Sequence, residues 1–333
     1  MNRQRRQHVL TAVAAAGGLA LFAYSVRDVG ADQILSGIRR VGWGILPILM
    51  LAGLRFVLRA EAWRLCMPVQ SRFRRLDALK AFLAGDALGN VTPLGLIASE
   101  PAKVFLARHH LATGEAVASL ALDNLVYALS VIAMIALGLV VMLLTVALPF
   151  EAQEWSIVTL VAFGLIVAGG WRLLTRRTAS GRAAGRGLIA RLSRLRHSMS
   201  EFSAHNPRRL WRAFAFDVVF HAVAVFEAFL ALKWLLGDRS PTFADAVMFE
   251  SLNRVVTVVF KFVPLRVGVD EALSGAFAPV LGVNPVAGVS LAVIRKVRSL
   301  FWMALGLLVI AFSHRQVGPV PATPPGSVPA HRT

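Results

Sequence analysis

Cysteine is almost missing from this chain: Cys66 stands alone among 333 residues. A single thiol excludes an internal disulfide and any thiolate metal cluster. Acidic residues are scarce too, with 18 Asp and Glu against 36 Lys and Arg and a formal charge of +18. The signatures of soluble catalysis are also absent: no H-E-x-x-H, no G-x-S-x-G, no P-loop and no Cys/His spacing suited to a metal. His109 and His110 are adjacent, too close in sequence to share one helical face, so no metal is expected there. No cofactor is expected.

Apolar residues, by contrast, make up 56% of the chain, and the mean hydropathy is +0.64. They come in blocks long enough to meet the ~20 residues that a helix needs to cross ~30 Å of hydrocarbon. Spans are expected at about 9–26, 41–58, 116–148, 155–174, 211–236 and 285–312. The fold class is therefore an all-α polytopic membrane protein with about six full spans. Arg3, Arg5 and Arg6 before an apolar run imitate a secretory signal, but Leu21 and Ala23 flank Phe22 and leave no small-x-small cleavage site. A retained first span is expected. The tail 313–333, short and rich in Pro and Gly, is expected to be disordered.

Two further apolar stretches, 86–111 and 250–283, are broken at their centres, the first by Pro93 and the second by Pro264 and Gly268. Glu100 follows Pro93, and Glu271 follows Pro264, at the same distance. Broken apolar segments at matching places in two halves are the best sequence pointer to a transporter's site. With the N-terminus in the cytoplasm and each broken segment re-entrant, the Arg-rich stretches 59–77, 103–110 and 172–212 and the tail fall inside. The acidic loop 149–154 falls outside, as the positive-inside rule requires. The loop 172–212 alone holds eleven Arg and one acid, Glu201.

A charge of +18 would suggest nucleic acid in a soluble protein. Here it reads as cytoplasmic loops facing anionic headgroups, and no nucleic-acid partner is expected. The two re-entrant segments then dip in from opposite faces, an inverted repeat. The membrane domain is placed at 1–312, with halves at about 41–148 and 211–312 joined by the basic loop. Ala136-Leu137-Gly138-Leu139 aligns with Ala304-Leu305-Gly306-Leu307, and Ala118-Ser119-Leu120-Ala121 with Val289-Ser290-Leu291-Ala292.

Ionisable residues at membrane depth usually face a cavity or each other. Glu250, Arg254, Thr257 and Lys261 fall on one narrow helical face. Glu250 and Arg254 suit a self-neutralising pair; alternatively, Arg254 and Lys261 bind an anionic headgroup together with broken-helix N-termini. Asp270 and Glu271 open the arm after the break, as caps or as coupling groups, with Arg266 a partner for either. In the first half, Asp86 and Asn90 precede the break, and Glu100 and Lys103 follow it. Asp123 is expected to face a cavity from the third span. Arg295, Arg298 and Ser299 share a face of the sixth, with Lys296 adjacent. Asp217 and His221 form an i,i+4 pair for which an interhelical bond is favoured over a proton relay. Arg55 and Arg59, near the end of the second span, are placed to snorkel.

Glu250-Ser251-Leu252, Phe262-Val263-Pro264, Gly268-Val269-Asp270-Glu271, Leu281-Gly282-Val283 and Arg295-Lys296-Val297-Arg298 carry a resemblance, joined by Gly85-Asp86, Pro93, Ser99-Glu100, Lys103 and Asp123. The pattern resembles the transmembrane domain of lysylphosphatidylglycerol synthases and related stand-alone flippase-like proteins, with the hopanoid-biosynthesis-associated branch the most similar. The resemblance spans roughly residues 40–312. The family usually shows Gly where Arg266 stands and Gln where Asp270 stands.

What the resemblance implies is translocation of a lipid (anionic, isoprenoid or hopanoid-type) between leaflets of the bacterial inner membrane, with both termini cytoplasmic. It implies no aminoacyl-transferase activity, since no soluble transferase domain follows. Arg254, Lys261 and Glu271, with Glu100, Lys103 and Asp123, are expected along the path, and Glu271→Ala is expected to abolish translocation in folded protein. The expected partners are membrane lipids and enzymes of lipid or hopanoid biosynthesis. A non-catalytic accessory protein of hopanoid or glycolipid synthesis is the alternative, and an intramembrane lipid-modifying enzyme a further one.

Overall fold

Long apolar runs within the described residues form helices. The computed structural model describes residues 41–175 and 199–316 apart from 72, 92–94, 109, 200, 204, 238–239 and 262, with four isolated positions before 41. The expected span 9–26, Pro93, most of the basic loop and the tail beyond 316 lie outside the described residues. Among the described residues there is no strand.

Among the described residues nine α-helices frame the structure: α1 (Ile45–Leu65), α2 (Arg75–Val91), α3 (Gly95–Ala107), α4 (Thr113–Thr145), α5 (Phe150–Thr175), α6 (Pro207–Leu236), α7 (Phe243–Val259), α8 (Val269–Phe277) and α9 (Pro285–Gln316). Four stretches among the described residues are long and apolar enough to cross a membrane: Gly42–Leu65, Thr113–Thr145, Phe150–Thr175 and Pro207–Leu236. The helix expected as the sixth span exists as α9, but it is not among these four, and Arg295, Lys296 and Arg298 lie within it.

Local chemistry sets the helix ends. Thr242 and Asp245 form a reciprocal capping box at the start of α7, satisfying two amides that no intrahelical carbonyl can reach. Pro207 and Pro285 occupy first-turn positions, where their missing N–H is no loss. Between α7 and α8, Leu265 and Arg266 both have φ 49° and Gly268 has φ 83°. Two non-glycine residues in the left-handed region hold strain that the surrounding contacts must offset.

Packing follows a pattern of exchange. Helices α1 and α6 lie side by side and antiparallel: Gly44 meets Trp234, Arg55 meets Glu227, Arg59 meets Asp217, and Arg209 donates to the carbonyl of Arg64. Helix α9 packs along α2, and α4 packs along α7. Each contact passes a glycine. A Cβ on Gly138 would collide with the side chain of Ser251, and one on Gly306 would collide with the carbonyl oxygen of Leu83. Helix α5 packs against α4 but contains no buried residue, and Trp155 near its start is 73% exposed.

Gly138→Ala and Gly306→Ala should each destabilise the protein by about 1–3 kcal/mol through overpacking. Gly164→Ala, where a Cβ meets nothing within 4 Å, should be neutral or stabilising by up to about 1 kcal/mol. Thermal unfolding in detergent checks the order.

Candidate functional site

Seven of the helices turn charged or polar side chains toward one another instead of toward lipid. They border a partly open cavity of about 360 Å³, lined from α1, α2, α3, α4, α6, α7, α9 and the turn after α7. Seven cations line it: Arg55, Arg59, Lys103, Arg254, Lys261, Arg266 and Arg298. Two carboxylates accompany them, Asp86 and Glu100. Apolar and aromatic groups such as Phe82, Phe220 and Trp302 complete the wall.

A second row of acids stands behind these cations. Arg59 donates to Asp123 on α4 at 2.8 Å and to Asp217 on α6 at 2.6 Å, and both acids are fully buried. The guanidinium also lies over the Tyr127 ring, 4.1 Å from its centroid. Glu227 on α6 receives Arg55 of α1 at 3.1 Å and Arg298 of α9. Glu250 on α7 receives Arg254 of its own helix and Arg295 of α9, the latter at 3.1 Å. Each ion in these clusters has a counter-charge within hydrogen-bond reach, and Arg59, Glu227 and Glu250 each have two, the condition under which burial of charge is tolerable.

The strained break is held from α9. Lys296 Nζ reaches Glu271 at 2.8 Å and Asp270 at 3.5 Å, and donates to the carbonyl of Arg266 at 3.2 Å. The other oxygen of Glu271 accepts from the Gly268 amide at 2.8 Å, and Arg266 pairs with Asp270 at 3.1 Å. On the first-half side, Glu100 accepts from Lys103 at 3.2 Å and from Asn124 at 3.1 Å. Asp86 accepts from Asn90 at 3.0 Å. Lys261 has no hydrogen-bond or ion-pair partner among the described residues and is exposed.

Of the residues expected to bind substrate, Arg254, Lys261, Arg266, Asp86, Asn90, Glu100, Lys103 and Arg298 line the cavity. Five do not. Glu250, Asp123, Asp270, Glu271 and Arg295 lie behind the wall, because each is consumed as a counter-charge within the protein. Glu271 in particular is fully buried as cap and staple, so it is a positioning residue for the break. Pro264 and Gly268 lie in the break.

Arg55 and Arg59 do not snorkel; they turn inward to acids on α4 and α6. Asp217 and His221 bond across helices and not to each other: Asp217 to Arg59, and His221 to Ser130 at 3.1 Å. The sequence reading did not place Arg55, Arg59, Tyr127, Glu227 or Trp302 at the site. The usable signal was the i,i+4 pair Arg55/Arg59 in one apolar helix opposite Asp217 and Glu227 in another. Cys66, just past α1, is buried, and burial pushes its thiol well above the usual range, so it is not a ready nucleophile.

Apolar helices of span length around a charge-lined cavity define an integral membrane protein. The chain belongs to the family described as lysylphosphatidylglycerol synthase TM region, which matches residues 9–306. Comparison with curated proteins and with solved structures returns no match.

Replacing Arg59 by Leu strands Asp123 and Asp217 and should cost about 3–5 kcal/mol, whereas a variant that also carries Asp123→Leu and Asp217→Leu should recover most of that loss. Glu271→Ala should lower the unfolding temperature, because it removes the cap on Gly268 and a counter-charge of Lys296. Both outcomes are read by thermal unfolding of purified protein in detergent.

Proposed function

We propose that the protein carries a lipid between the leaflets of a bacterial inner membrane, lodging its headgroup in the central cavity, and that it does so without chemical change to the lipid. One observation carries this reading: a partly open polar cavity amid helices long and apolar enough to cross a membrane, whose surface presents seven cations and two carboxylates. Ionisable groups at this depth mark substrate pathways.

The charge balance supports an anionic headgroup. In the embedded cluster the cations are Arg55, Arg59, Lys103, Arg254, Lys261, Arg266, Arg295, Lys296 and Arg298, and the acids are Asp86, Glu100, Asp123, Asp217, Glu227, Glu250, Asp270 and Glu271. Cations exceed acids by one, and Lys261 is the cation without a bonded partner among the described residues. A headgroup with one negative charge, such as a phosphodiester, completes the balance. Guanidinium groups suit it well, since they pair with phosphate in two-point geometry.

The packing supports an inverted repeat. Gly138 and Gly306, aligned in the sequence, serve α4 on α7 and α9 on α2, contacts that interchange when the halves are exchanged. The corresponding helices α1 and α6 run antiparallel. A two-fold relating them is therefore perpendicular to the helices, and so lies in the membrane plane, the arrangement used by alternating-access carriers. In this reading both termini are cytoplasmic and the partners are membrane lipids. The hopanoid association is a finer expectation, and the same assay tests it by lipid class.

Translocation in proteoliposomes, with labelled anionic, zwitterionic and polyisoprenoid or hopanoid lipids, tests the function. Lys261→Ala and Lys103→Ala remove charge-assisted contacts of about 1.5–3 kcal/mol each, so anionic-lipid flux at limiting lipid should fall about ten- to a hundredfold. Equal flux for every class, or wild-type rates in both variants, overturns the proposal.

A further inference from the structure

A second concavity opens beside the first. It runs between α3 and α4, with a volume of about 590 Å³, and its walls are largely apolar: Val104, Phe105, Val117, Leu120 and Ala121. Its outer end carries Arg108 and Thr113, and its inner end carries Glu100 and Asn124. Those last two residues also line the cationic cavity, so the two spaces meet at one pair of side chains. Asn124 donates to Glu100 at 3.1 Å, and this hydrogen bond lies on the boundary between the apolar groove and the charged chamber.

Three features bear on what the groove takes. Phe105 and Val117 on its walls are exposed, and α4 is a candidate membrane span, so the groove faces hydrocarbon. Asn124 lies eleven residues along α4 from Thr113, a rise of about 16 Å at 1.5 Å per residue. Half of a ~30 Å hydrocarbon core is about the same depth. Arg108 at the outer end lays its guanidinium over Phe105, 3.7 Å from the ring centroid, as an amphipathic side chain does at a headgroup boundary. An apolar trough about one leaflet deep, ending at a cationic chamber, is complementary to an amphiphile that is anionic at one end and aliphatic at the other.

We propose that this groove is the seat of an acyl chain of an anionic phospholipid whose phosphate occupies the central cavity, so that the lipid passes sideways between α3 and α4. The proposal rests on the lipid-carrier reading. The acyl chain stays in an apolar environment throughout, and only the headgroup is taken from water. Glu100 and Asn124 form the latch at the boundary: their bond must open for a headgroup to pass, and Lys103, paired with Glu100 at 3.2 Å, offers the arriving phosphate a replacement partner. Ala121 and Val117 are the positions at which added bulk closes the trough without touching a charge.

The test uses full-length protein in vesicles of phosphatidylglycerol that carries a photoreactive group near the end of one acyl chain, with labelled residues mapped by peptide mass spectrometry. Label is expected on the peptides bearing Val104 and Val117, in excess of the lipid-facing surface of α5. It should fall at least tenfold in Ala121→Trp and in Val117→Trp, with flux of the same lipid falling in parallel. Two tryptophan variants are used so that a folding defect in one leaves the other informative, and unfolding temperature reports on both. Uniform labelling of α4 and α5, unchanged in both folded variants, overturns the groove assignment even where wild-type flux is present. Localised labelling without flux in the wild type upholds the groove and instead removes the carrier reading.

Discussion

Everything in this structure depends on neutralising cations that have been taken out of water. Arg59 on α1 is held by an acid from α4 and another from α6; Glu227 on α6 is held by a cation from α9 and another from α1. The aligned glycines Gly138 and Gly306 are 168 residues apart in sequence, and so are Arg59 and Glu227. The two clusters are complementary in charge: a cation between two acids in one, an acid between two cations in the other. Such a pair knits four helices together at two points, and leaves neither point with a stranded charge, which would cost several kcal/mol.

The placement of acids and cations is not symmetric about the cavity. Guanidinium and ammonium groups hold the inner surface, and most carboxylates are withdrawn one layer back. This keeps the embedded cluster close to neutral while the chamber itself shows a cationic face. The solvation cost of the membrane-embedded charges is thus offset within the protein, and the electrostatic attraction is reserved for what enters. Lys296 illustrates the division: it faces away from the chamber and spends its charge on Asp270, Glu271 and the Arg266 carbonyl, holding the strained turn in place. Two of the positions at which the sequence departs from the pattern it resembles, Arg266 and Asp270, are partners of one another, so that departure brings its own compensation.

The helices were legible because apolar runs of span length have few alternatives, and the break at Pro264 to Gly268 because proline and glycine interrupt a helix for covalent reasons. The residues facing inward from the two broken segments were legible for the same reason, since charge in an apolar segment has few places to go. What was not legible was depth. Asp123 and Glu250 share helical faces with Tyr127 and Arg254, which do line the chamber, and periodicity cannot tell a first row from a second. The inward turn of Arg55 and Arg59 was hidden by position: two arginines near the end of an apolar run look like interfacial anchors until Asp217 and Glu227 are seen opposite them on an antiparallel neighbour. Only tertiary pairing carries that information.

A cationic chamber alone would attract any anion that reached it, including soluble phosphate. Selection for a lipid has to come from geometry that a soluble ion cannot use, and the union of chamber and apolar groove at Glu100 and Asn124 supplies it. An inorganic anion would gain only the chamber contacts, while an amphiphile would keep its chain in hydrocarbon along α3 and α4 and add those contacts to it. The chain exchanges one apolar environment for another and gains no water-to-apolar transfer energy in the trough, so what the groove contributes is a path on which the head can enter the chamber while the chain never meets water. On the proposed reading, the charges would decide which lipid is preferred, and the groove would decide that it is a lipid at all.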